Sequence, residues 1–141
     1  MEGATVSRSG YDTDGTEWDV IRWRGAVTSA MRGKRGMAFL EELRTALDTM
    51  KEKRLIEGEL VQEGEVCALG AIGMKRGIDM AAINPYDVDT VANTFNIAHA
   101  LAAEIMFMND DGGNYNEPPE RRHKRMCAWI DEEIAKYRRT K

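Results

Sequence analysis

Between Arg22 and Arg35 the chain reads RWRGAVTSAMRGKR, with five cations and no carboxylate. Cations grouped in this way suit phosphate: arginine offers a planar fork of donors and lysine a compact point charge. Gly33 and Gly36 leave room for backbone N–H groups to approach an anion. Arg22, Trp23, Arg24, Arg32, Lys34 and Arg35 are therefore the candidate ligand-binding residues, with Trp23 available to stack on a base. The stretch is not a P-loop, because it lacks both the Gly–Lys–Ser/Thr ending and a preceding strand.

Other residue types invite other chemistry. Cys67, in EVCALGAIG, stands near a predicted helix start, where a thiol can become nucleophilic. A nucleophile also needs a base, and the chain has only His99 and His123. Flanked by Val66, Ala68 and Leu69, Cys67 is expected to be core packing. Zinc needs clustered Cys and His, and two of each are scattered here without ligand spacing. Asp110 and Asp111 in NDDGG could offer oxygen to a hard cation, yet the longer carboxylate ladder of a calcium loop is missing. A helix stop followed by a glycine turn is the expectation there. No catalytic residue, metal or cofactor is assigned, and the chain is expected not to be an enzyme.

The 141 residues suit one domain with a single sizeable core, and 43% hydrophobic with 31% charged content is usual for a globular chain. No apolar run reaches the roughly 20 residues that cross a bilayer. The opening MEGATVSRSGYDTDG lacks the order of a signal peptide, so a cytoplasmic location without membrane contact is expected. The net charge of −4 is unevenly spread. Two basic ends flank an acidic middle, in which Lys75 and Arg76 are the only Lys or Arg residues between Leu55 and Glu120. Such a pattern suits self-association or the steering of anions to one face.

These residues must be held by a mostly α domain of about five helices. Residues 1–15 read as a mobile tail and 16–141 as the helical domain. Thr16 and Asp19 suggest a capping box for a helix with Val20, Trp23, Val27 and Met31 on one face. RGKRG interrupts it, and Phe39, Leu40, Leu43, Leu47 and Met50 then mark a second amphipathic helix. Residues 55–66 predict a small hairpin or irregular loop. VCALGAIGMK predicts a short helix closed by Gly77. Asn84 and Pro85 predict the start of a long, buried helix running to about Met108. A last helix after Pro118 and Pro119 buries Met126, Trp129, Ile130, Ile134 and Tyr137.

GEVCALGAIG at 64–73, the Asn–Asp pair at 109–110 and the closing helix after NEPPERR resemble a widespread group of small, mostly uncharacterised bacterial and bacteriophage helical proteins. That group carries a Cys–Cys/Ala–Leu–Gly segment and an Asn–Asp turn, and the resemblance spans about residues 40–137. It implies a compact helical fold and a phage or prophage origin in the cytoplasm of a host cell, and it brings no established catalytic residue. The expected function is a non-enzymatic accessory protein, a homo-oligomer that binds a phosphate-bearing ligand and sequesters a nucleotide signal of host defence. Two alternatives use the same charges: an inhibitor docking on a host defence enzyme, or a nucleic-acid-binding accessory protein.

Overall fold

The computed structural model of the chain describes residues 8–9, 17–114 and 116–138, except the side chains of Glu17 and Trp18. The order is α1 (Glu17–Arg32), α2 (Lys34–Asp48), β1 (Val61–Gln62), β2 (Glu65–Val66), α3 (Ala68–Arg76), α4 (Val88–Phe95), α5 (His99–Asp111) and α6 (Pro119–Arg138), with a 3₁₀ turn at Met80–Ala82. The domain is mostly α with one small antiparallel hairpin, as the sequence predicts. No helix among the described residues is long and apolar enough to cross a membrane. Thr16 lies outside the described residues. Within the stretch read as a tail, Arg8 and Ser9 are described, and both are buried.

The helices enclose one apolar cluster. α2 contributes Phe39, Leu40, Leu43 and Leu47 at helical spacing and packs against α1, α3 and α6. Among the described side chains of α1 only Val27 and Met31 are buried; of the predicted stripe Trp23 is half-buried and Val20 is exposed, so it is buried just in the second half of that helix. Gly33 alone breaks the path from α1 to α2, since Gly36 already lies within α2. A Cβ on Gly36 would come 1.7 Å from the Ala30 carbonyl oxygen, so a hydrogen at this position lets the two backbones touch.

The hairpin pairs Val61 with Val66 and Gln62 with Glu65. Glu63 and Gly64 close it with φ of 51° and 82°, the two positive angles of a type I′ turn. The long helix predicted from Asn84 is corrected to two. The Asn84 side chain accepts from the Tyr86 N–H and shapes a turn, and Asp87 caps α4 by accepting from Thr90. At the other end Asn96 adopts the left-handed conformation. The Asn96 N–H returns to Asn93 and the Ile97 N–H to Ala92, a C-terminal lock that ends α4. α5 then starts afresh at His99 and runs past the predicted turn to Asp111.

α6 is fastened to the end of α5 by Glu117. Its carboxylate takes a fork from Arg125 at 2.8 and 2.9 Å, and Arg125 also donates to the carbonyls of Met108 and Asn109. The Arg125 hydrogen bonds lower the Glu117 pKa against burial, which raises it; the charges of Arg125, Arg122 and Arg121 add to the lowering. A carboxyl lowered by folding stabilises fully above its unfolded pKa, and that stability is lost as pH falls through the folded value. The urea midpoint is therefore expected to drop as pH falls below the ordinary glutamate range, and Glu117→Gln should flatten the drop. Identical pH slopes in the two proteins would locate the acid sensitivity elsewhere.

Candidate functional site

Two places deserve a functional reading, and the basic link comes first. Gly33 enters α2 in extended conformation (φ −70°, ψ 161°), and having no side chain it makes no cap bond to the first N–H groups. Ala98 enters α5 in the same way (φ −65°, ψ 147°), again without a side-chain cap. These two amino termini face one cavity of about 230 Å³, bounded by Gly33, Lys34 and Arg35 on one side and Ile97, Ala98 and Leu101 on the other. Uncapped N–H groups and the positive ends of two helices favour an anion there. Arg32, Lys34 and Arg35 are exposed, and none meets a carboxylate among the described residues.

The six predicted site residues are not all brought together. Lys34 and Arg35 line the cavity, and Arg32 is exposed at the link beside them. Arg22 is exposed ten residues earlier on α1, about 15 Å along the axis, and pairs with Asp19 at 2.8 Å. Trp23 is half-buried against the core. Arg24 forks onto Glu104 at 3.1 and 3.0 Å, and Glu104 is 4% exposed. Arg24 thus ties α1 to α5.

The second place gathers residues far apart in sequence. Cys67 is 1% exposed, as its apolar neighbours predict, and its sulfur also caps α3 by accepting from the Gly70 N–H at 3.4 Å. A Cβ on Gly70 would lie 2.0 Å from the Leu60 carbonyl oxygen, so this glycine seats α3 against the hairpin. The Asn109 side chain accepts from Ala68 N–H at 3.0 Å and donates to Ile56 and Asp110 at 2.9 and 2.8 Å. Asp110 accepts from Gly58 N–H at 3.1 Å and from Arg8, whose Nε and Nη2 lie at 2.5 and 2.9 Å. Burial opposes the charge on Arg8, but Cys67 and Asp110 outweigh it and raise the arginine's pKa.

No histidine meets the Cys67 thiol among the described residues, whereas Cys127 Sγ lies 3.8 Å from His123 Nδ1. His99 is exposed at the far end of α5 from Asn109, with Nδ1 2.6 Å from Asp89. His123 holds the Leu47 carbonyl through Nε2 at 2.8 Å. Burial raises the Cys127 thiol pKa, with Asp131 and Asp48 adding to the rise and Arg44 and Lys53 opposing it. Among the described residues no group of three or more Cys, His, Asp or Glu could hold a metal ion. A cavity of about 520 Å³ lies elsewhere, over Met50, Val66, Ala71 and Met74 with cations and carboxylates mixed at its rim.

Sequence reasoning missed the amino terminus of α5 at the basic link and Arg8 beside Asp110. Asn96 held a signal for the first, since asparagine after glycine most readily takes the left-handed angle that ends a helix. Compared with known proteins, the chain matches no family model, no curated protein and no solved structure.

Proposed function

We propose that the chain binds a phosphate-bearing ligand at the junction of α1, α2 and α5, as a non-enzymatic accessory protein of phage or prophage origin that sequesters a nucleotide signal of host defence. The observation that supports this reading most is the convergence of two uncapped helix amino termini on one cavity beside Lys34 and Arg35. Phosphate oxygens would accept from the first N–H groups of both helices, and Lys34, Arg35 and Arg32 would neutralise the charge. Arg22, Trp23 and Arg24 are too far along α1, or already engaged, to join the same phosphate.

Calorimetric titration with inorganic phosphate and with linear and cyclic nucleotides tests the reading. Each charge-assisted bond is worth about 1.5 kcal/mol or more, so Lys34→Gln with Arg35→Gln should weaken binding about 100-fold. Affinity should also fall as salt rises. Absence of heat and of thermal stabilisation with every one of these ligands would remove the proposal.

A second reading, docking on a host protein, is favoured by Val20 and Ile21, 47% and 55% exposed on α1 beside Arg22. A stoichiometric host partner that is lost when both residues become Asp would support it.

A further inference from the structure

The Arg8 contact reads as ligand recognition as much as folding. Its receptor has bonds of its own: Asn109 bonds to Ala68, Ile56 and Asp110, and Gly58 holds the Asp110 carboxylate. None of those bonds involves Arg8, so two groups other than the guest orient the carboxylate. The occupant comes from outside the helical body, 102 positions from Asp110. It inserts a fork that a lysine could not reproduce. Ser9 is buried beside it, so the inserted element is a short Arg–Ser turn. The fit is incomplete: Arg8 Nη1 is buried with no hydrogen-bond partner among the described residues, and the arginine side chain is only 1% exposed. A buried donor left unsatisfied weakens the hold on the turn that fills the site.

We propose that Asp110, Asn109 and Cys67 form an arginine-binding site in which the chain's own Arg8–Ser9 turn is an exchangeable resident ligand, replaceable by an Arg–Ser turn of a second polypeptide. The site is separate from the basic link and independent of the phosphate reading. Its recognition chemistry is a guanidinium forked onto Asp110, followed by a small polar residue that tolerates burial.

The test uses the full-length chain carrying Arg8→Ala and a fluorescent peptide of residues 1–15, MEGATVSRSGYDTDG, read by anisotropy. The peptide is expected to bind the variant and raise its melting temperature. The peptide with Arg8→Ala should bind about 100-fold more weakly, and the one with Arg8→Lys about tenfold more weakly. The wild-type chain, already filled, should bind at least about tenfold more weakly than the variant. Adding Asp110→Asn to the variant should abolish binding. A folded variant that ignores the peptide, or binds all three peptides alike, overturns the proposal. Where Arg8→Ala does not fold, Arg8→Lys replaces it. Failure of the peptide to restore cooperative melting to either variant would make Arg8 a fixed structural ion pair, which also overturns the proposal.

Discussion

Asp110→Ala is expected to lower the stability of the fold by about 3–5 kcal/mol, the usual loss when one member of a buried ion pair is removed. The carboxylate satisfies the Arg8 fork, the Gly58 N–H and the Asn109 amide together. Its loss leaves the Gly58 N–H and the Asn109 amide without that acceptor and strands a guanidinium 1% exposed to water until the Arg8–Ser9 turn leaves the site. Removing both partners should cost less than removing Asp110 alone, because the stranded charge goes too. Urea midpoints of the two single variants and the double variant measure this coupling. If the losses simply add, the pair contributes no interaction energy.

Gly36→Ala carries the second large effect, and its sign is diagnostic. In an exposed helix interior, glycine to alanine stabilises by about 1 kcal/mol. Gly25, also within a helix and with nothing within 4 Å of a Cβ added there, should follow that rule. At Gly36 the new methyl would meet the Ala30 carbonyl at 1.7 Å, and neither backbone can swing aside as a side-chain tip would. A net loss of about 3 kcal/mol is expected, with α2 pushed away from α1. That displacement moves Lys34 and Arg35 relative to α5, so phosphate binding should fall with stability. Thermal melts of the two alanine variants, moving in opposite directions, test the contact. A stabilised Gly36→Ala protein would refute it.

Much of the architecture was legible because apolar spacing reports burial directly. Phe39, Leu40, Leu43 and Leu47 define α2, Gly77 ends α3, and the prolines at 118–119 open α6. Periodicity fails at residues 96–98, since a three-residue break barely disturbs the phase of an apolar stripe; the left-handed angle of Asn96 marks it in the structure. The five cations were legible as chemistry but not as a site. Whether a cation is free depends on partners distant in sequence, and Glu104 engages Arg24 across 80 positions. Arg8 was invisible for the same reason, because its partner lies 102 residues away and its own surroundings are polar and aperiodic.

The interruption at Asn96 has an electrical consequence. An unbroken rod would add its peptide dipoles head to tail and show no pole midway. By stopping and restarting, the chain gains an extra positive pole facing Lys34 without spending another side chain, in a sequence whose formal charge sums to −4. Such a pole does not titrate, so local attraction for an anion would persist over the whole pH range in which the helices stand.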